Sequence, residues 1–312
     1  MRAFIRFSFA FTTFAVLLIA ASAFPISSHL QPQSDYLNRQ PPPISVEARR
    51  EMEARLSEAR TAYQANPQSA DAAIWVGRRL AYLGRFREAI DFYTEAIQKF
   101  PRDARLYRHR GHRYITTRQF ELAIADLSRA AKLVKGKPDE IEPDGQPNAR
   151  NIPTSTLQFN IWYHLGLAHY FLGNNRQALA SYRECLKVSK SPDRLVATTH
   201  WLYMTLRRLR RAGEADRVLA PITPQMEIIE NASYHRLLLM YKGLISATDL
   251  EREVSAEPAS ASSLSILYGI GNWHLYNGQP REAIRIYEQM LGGDQWTSFG
   301  YVAAEADLKR LR

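Results

Sequence analysis

The sequence predicts an all-α fold organised as a solenoid, a row of stacked antiparallel helix pairs. Small and aromatic residues recur in four copies with the same internal spacing, the first two 34 residues apart, the mark of a repeated supersecondary unit. Within each copy the apolar residues return at helical rather than strand spacing. With 46% hydrophobic and 23% charged residues the chain has enough apolar surface to offset its own ordering, so a packed fold is expected rather than disorder.

Residues 1–23 stand apart. Arg2 and Arg6 precede an apolar run from Phe7 to Ala20 without an acid, and Ala21-Ser22-Ala23 offers small residues for cleavage. This pattern predicts a signal peptide and an exported protein, periplasmic or secreted. The 18 residues from Phe7 to Phe24 also lie at the short edge of a bilayer span, so the alternative is a membrane anchor left uncleaved. Residues 24–44 carry Pro25, Pro32, Pro41, Pro42 and Pro43, a composition that reads as a tether. The solenoid is predicted over residues 45–312, opening with a helix whose Met52, Leu56, Ala59 and Tyr63 share one face.

The repeats can be laid over one another. Gly77, Leu80, Gly84, Ala89, Tyr93, Ala96 and Pro101 form the first copy, and Gly111, Tyr114, Arg118, Ala123, Leu127 and Ala130 the second. A third holds Trp162, Leu165, Gly166, His169, Gly173, Ala178, Tyr182 and Cys185; a fourth holds Leu267, Ile270, Gly271, His274, Gly278, Ala283, Tyr287 and Met290. Gly77, Gly111, Gly166 and Gly271 would let paired helices approach closely, and Gly84, Gly173 and Gly278 sit where the first helix of a pair must stop. Cys185 falls where the other copies place Ala96, Ala130 and Met290, which predicts a buried small residue, and as the single cysteine it has no intrachain disulfide partner.

These residues resemble the tetratricopeptide repeat, whose unit runs W-x2-L-G-x2-Y, then Ala, an aromatic and Pro. Trp162-Tyr163-His164-Leu165-Gly166-Leu167-Ala168-His169 departs from that pattern only at its last position. The resemblance implies antiparallel pairs winding into a right-handed superhelix. Clear repeats are expected near residues 70–103, 104–137, 159–192 and 264–296. Gly111 and Gly166 are 55 apart, a period plus an insertion, which makes the polar, proline-rich residues 138–158 a loop. Residues 193–263 have room for two degenerate repeats, with helices over Arg194–Leu209 and Tyr234–Lys242 and a capping box at Thr248 to Glu251. Residues 297–312 are expected to cap the open end of the stack.

The sequence contains no phosphate-binding loop, nucleophile elbow, H-E-x-x-H or cysteine cluster, so binding is expected rather than catalysis, with no cofactor. His109 and His112 could share a metal across one helix face, but no third ligand is spaced to join them locally. Arg207 to Arg211 reads as a solvated helix end suited to the helix dipole. The net charge of +10 favours acidic partners, and no nucleic-acid partner is expected. Asn231-Ala232-Ser233 would be a glycosylation acceptor in a host with that machinery.

In solenoids of the resembled family the first helix of each unit lines a concave groove. Helix geometry then places Arg78, Tyr82, Arg105, Arg108, His112, Asn160, Tyr163, Tyr170, Tyr268, Asn272 and Tyr276 on that face. Arg can grip a carboxylate with two hydrogen bonds, Asn can pair with extended backbone, and Tyr offers a flat face with a polar tip. The expected function is an exported scaffold binding a protein or peptide partner with acidic groups. The alternatives are a metal-dependent or enzymatic role for the groove histidines and a purely structural spacer.

Overall fold

The computed structural model describes Met1, residues 34–256 and residues 259–312. The predicted signal segment therefore lies outside the described residues except for Met1. Contacts divide the chain into Met1–Pro32 and Gln33–Arg312, and the helices of the described residues belong to the second unit. They are α1 (Ser34–Asn38), α2 (Val46–Ala65), α3 (Ala70–Tyr82), α4 (Phe86–Lys99), α5 (Ala104–Thr116), α6 (Phe120–Val134), α7 (Leu157–Phe171), α8 (Asn175–Val188), α9 (Pro192–Arg208), α10 (Ala212–Val218), α11 (Ala232–Tyr241), α12 (Ala247–Ser255), α13 (Ala261–Tyr276), α14 (Pro280–Leu291) and α15 (Phe299–Leu311). Among the described residues no helix is long and apolar enough to cross a membrane.

Each helix pair repeats one local design. In all but α11 the first helix starts on a side-chain cap: Ser69, Asp103, Thr156, Ser191 and Ser260 each accept a backbone N–H of the first turn. It ends on a residue with positive φ, successively Gly84, Arg118, Gly173, Arg210, Gly243 and Gly278. The amide after each of these reaches back to a carbonyl in the last turn, as Arg85 does to Leu80, Gln119 to Tyr114 and Arg211 to Leu206. This stop occurs six times, so the segment 193–263 keeps the repeat's turn after losing its consensus side chains.

Packing follows from small residues at the crossings. A Cβ on Gly77, Gly166 or Gly271 would overlap the ring of Tyr93, Tyr182 or Tyr287 in the partner helix, and one on Gly111 would overlap Leu127. Ala89, Ala123, Ala178 and Ala283 are fully buried beside them, as is Cys185. Successive first helices also touch, α3 with α5, α5 with α7, α7 with α9 and α9 with α13, so the stack has one inner face made of first helices. The unit α11 and α12 is looser, each of its helices packing on α13.

Two expectations are corrected and one is extended. The helix over 247–255 is capped by Ser246, whereas the capping box lies at Ser260 and Ser263. Residues 34–44, read as tether, are docked in part: Trp296 Nε1 donates to the Gln40 carbonyl at 2.8 Å, and Pro41 lies against Gly84. Tyr36 stacks near Trp296 and beneath the Arg118 guanidinium, so one aromatic in a polar stretch is enough to anchor it. Finally, α15 does more than close the end of the stack. It packs on α13 and α14 and also reaches α7, because Phe299, Tyr301, Ala304 and Leu308 need cover that the last pair alone cannot give.

The two non-glycine stops differ in their surroundings. Arg210 is exposed, with φ 58° and no hydrogen bond to its side chain among the described residues. Arg118, with φ 62°, donates to Glu305 at 2.9 Å and to the Trp296 carbonyl at 2.8 Å. Left-handed backbone costs a non-glycine residue about 1–2 kcal/mol. Urea unfolding should therefore show Arg210→Gly stabilised by roughly 1 kcal/mol and Arg118→Gly destabilised, since the latter leaves the half-buried Glu305 carboxylate with the exposed Lys309 as its only cation among the described residues.

Candidate functional site

The inner face has two halves, each occupied by another part of the chain. In the first, α3 and α5 meet the insertion loop. Arg78 Nη1 donates to the Pro143 carbonyl at 2.8 Å, and its Nε and Nη2 reach the Tyr82 hydroxyl. Arg79 Nη1 donates to the Gly145 carbonyl at 2.9 Å. Arg108 Nη2 lies 3.0 Å from Glu142 Oε1, while Asn160 Nδ2 donates to Glu142 Oε2 at 3.0 Å. The loop backbone is extended here, with the Glu142 amide bonded to the Ser155 carbonyl and an isolated bridge between Ile141 and Thr156.

Behind the loop is a cavity of about 190 Å³ lined by Arg78, Arg108, His112, Arg113, Glu142 and Asp144 among others. Arg113 makes no ion pair among the described residues; burial, reinforced by Arg108 and Arg78, pulls its guanidinium down to about 10. Arg108 Nε also has no partner. A wider opening of about 330 Å³ adjoins the cavity, lined by Asp71, Trp75, Arg105 and Ile141. Arg105 is only half-buried there, chelating its own N-cap Asp103 at 3.0 and 2.6 Å and pairing with Asp71.

The second half is held by α15. Arg208 donates to Asn272 Oδ1 at 2.8 Å and to Asp307 Oδ1 at 2.8 Å, and its guanidinium lies over the ring of Tyr170. The Tyr268 hydroxyl donates to Asp307 Oδ2 at 2.9 Å, and Arg310 joins the same carboxylate. Burial would raise the Asp307 carboxyl, but Arg208 and Arg310 outweigh it and hold it below the ordinary 3.8. Arg310 Nη1 also donates to the Phe171 carbonyl at 2.7 Å. Between the halves, Phe299 of α15 packs against His112, His164 and Tyr163.

The imidazoles here are neutral. His109 Nδ1 faces the Arg108 guanidinium at 2.9 Å and so accepts, placing its proton on Nε2. His112 turns the other way, onto His164 at 4.3 Å between ring centres, so the two residues that share a helix face do not converge on one point. Burial, then Arg108 for His109 and His164 and Arg113 for His112, holds all three well below 6.5. No group of three or more potential metal ligands stands together among the described residues.

Tetratricopeptide repeat family models match this chain over residues 77–140, 159–192 and 266–298, segments that take in the later turns of α3, α7 and α13 together with α4 to α6, α8 and α14. The chain carries tetratricopeptide repeats. A human protein, tetratricopeptide repeat protein 13, is 32% identical over 108 residues, covering 35% of this chain and 10% of that protein. The chain thus spans about a tenth of that relative's length. Among solved structures, YrrB, described as a TPR protein with an unusual peptide-binding site, is 14% identical, with 80% of this chain and 97% of that one aligned at a TM-score of 0.43. A tetratricopeptide repeat protein from Parabacteroides merdae ATCC 43184 is 15% identical, with 85% and 94% covered and a TM-score of 0.47.

For this tetratricopeptide repeat protein the predicted groove residues do lie on the first-helix face, but they do not form one open surface. Arg78, Arg108 and Asn160 hold the insertion loop, while Tyr170, Tyr268 and Asn272 are buried around Arg208 beneath α15, with Asn272 Nδ2 left unpartnered. Tyr163 is buried, bonded to Trp201 and Tyr234, and Tyr276 lies under Arg207. Tyr82, His112 and Arg105 keep partial exposure. The reading of Arg207 to Arg211 as a solvated end is corrected at one position, Arg208, which is among the most enclosed cations of the fold because α15 folds back over it. Sequence reasoning also missed Arg79, Glu142 and Asp307; the only signal was an acid in each otherwise unexplained segment.

Two outcomes follow. Asp307→Asn, which removes the charge that Arg208 and Arg310 share, should cost roughly 3–5 kcal/mol in urea unfolding at neutral pH. Because the buried imidazoles, His200 among them at about 3, are depressed in the folded state, the unfolded chain takes up protons first. Their contribution is complete above 6.5 and is lost as the pH falls below it, while that of Asp307 is lost only below 3.8. A stability profile should therefore decline from about pH 6.5, ahead of carboxylate titration.

Proposed function

We propose that this tetratricopeptide repeat chain is an exported scaffold that holds a partner protein by an acidic, extended segment at the α3 and α5 end of its inner face. The tetratricopeptide repeat matches support protein binding as the coarse role. Export rests on the N-terminal pattern of Arg2 and Arg6 ahead of the apolar run. One observation carries the choice of surface: Arg108 and Asn160 hold the Glu142 carboxylate, Arg78 holds the Pro143 carbonyl, and a partly open site continues beside them. That opening offers Trp75 as a flat apolar contact and Arg105 as a half-exposed cation, the residue types that dominate binding energy at protein interfaces.

We assign no chemistry to this chain, since His109 and His164 are buried, His112 is half-buried, and all three are neutral and packed on aromatic rings instead of a reacting centre. The test is affinity capture with the mature chain from its own envelope or culture fluid, followed by titration of the identified partner. Arg105→Glu should weaken that complex about tenfold or more with helix content unchanged, by reversing a charge at the mouth of the opening. Undiminished affinity in Arg105→Glu and in Trp75→Ala would place the contact elsewhere.

A further inference from the structure

The insertion loop touches the inner face in a way that a ligand would. Between residues 138 and 155 only Glu142 and Gly145 are buried, three positions apart, and each has a separate receptor. The Glu142 carboxylate is shared by Arg108 and Asn160. Gly145 lies against Tyr82 and Arg78, where a Cβ would overlap the Tyr82 hydroxyl. Its φ is not positive, so the requirement is for space and not for backbone freedom. Pro143 lies between them with its ring outward and its carbonyl on Arg78, and the Gly145 carbonyl is held by Arg79.

We propose that α3, α5 and α7 form a recognition site for an extended acidic segment of the form Glu-Pro-x-Gly on the partner protein, and that the chain's own Glu142–Gly145 fills this site until the partner's segment displaces it. This rests on the reading of the inner face as a partner surface and adds the chemistry of what is bound.

The loop is built to leave only in exchange. Its apolar Ile141 is 68% exposed, so detaching it uncovers little apolar surface. Asp139 and Glu140 stay with the start of α7, bonded to Thr156, Leu157 and Gln158, so the segment that detaches begins at Ile141. Further along, the ties of Asn148 to Glu230, Arg150 to Glu227 and Thr154 to Glu230 are exposed polar contacts of the kind that contribute little. The cost of release is concentrated in Arg108, which would be left enclosed without its carboxylate. An incoming glutamate restores that pair one for one, whereas water alone or a neutral segment does not. The tethered loop competes at the high effective concentration of an intramolecular ligand. A partner therefore needs contacts that the loop lacks, and two kinds are at hand: the opening at Trp75 and Arg105, and the unmatched Arg113 and Arg108 Nε in the cavity.

The experiment uses a fluorescent peptide with the sequence of residues 139–147, Asp-Glu-Ile-Glu-Pro-Asp-Gly-Gln-Pro, followed by anisotropy. It is titrated with the full chain, with Glu142→Gln, and with a full chain whose residues 141–154 are replaced by a Gly/Ser linker of equal length, which keeps Asp139 and Glu140 on the start of α7. Binding to the two altered chains should be at least tenfold tighter than to the intact one. It should be lost on adding Arg108→Ala to the linker chain, and lost with a peptide carrying Gly145→Ala. Equal affinity for intact and altered chains, or no binding to an altered chain that keeps native far-ultraviolet dichroism, overturns the proposal. If the peptide fails while Arg105-dependent capture of a partner persists, only this inference falls; if the peptide binds but no partner depends on Arg105 or Trp75, the scaffold reading falls instead.

Discussion

Guanidinium groups stay charged when they leave water, and the inner face of this helix stack encloses several of them, Arg78, Arg108, Arg113, Arg118 and Arg208. The repeat scaffold gives them positions but few oxygens, because first helices pack on one another through tyrosine, histidine and small residues. The oxygens come from the two segments that are not repeats. Glu142 and the Pro143 carbonyl arrive from the insertion loop, and Glu305 and Asp307 arrive from α15. Much of what distinguishes this chain from a plain stack of helix pairs follows from that need.

The two segments answer it with different permanence. Helix α15 brings buried Tyr301, Val302, Ala303, Ala304 and Leu308 together with its acids, so charge pairing and apolar burial hold it at once. Hydrophobic burial of this kind contributes about 25 cal/mol for each Å² withdrawn from water, and a helix-sized face makes it decisive. The loop brings Glu142 and Gly145 and very little apolar surface. A face with one fixed half and one exchangeable half is a reasonable design for a scaffold, since the fixed half keeps α7, α9 and α13 in register while the other meets a partner.

The repeats were legible because their signals are local. Gly77 against Tyr93, the alanines of the second helices and the left-handed stops at Gly84, Gly173 and Gly278 each require a particular residue type, and the spacing exposes them. The degenerate units were legible only in outline: Arg210 and Gly243 perform the same stop, but an arginine in that position is indistinguishable by eye from a solvated helix end. The identities of the groove residues were also readable, since helix geometry fixes which side chains face inward. Their partners were not. Whether Arg108 meets water, a peptide or Glu142 depends on a contact across 34 residues of chain, and Arg208 to Asp307 spans 99. Nothing in helical periodicity encodes such distances, and a proline-rich, polar loop reads the same whether it waves in solvent or lies in a groove.

Hydrogen exchange of the intact chain tests this division most directly. The account predicts that amides of Ala303 to Leu308 exchange only through global unfolding, while the Glu142 amide exchanges by local opening, orders of magnitude sooner, without disturbing α5 or α7. Equal protection of loop and helix would make the loop a fixed strut, and rapid exchange throughout α15 would contradict the claim that the chain fills its own inner face.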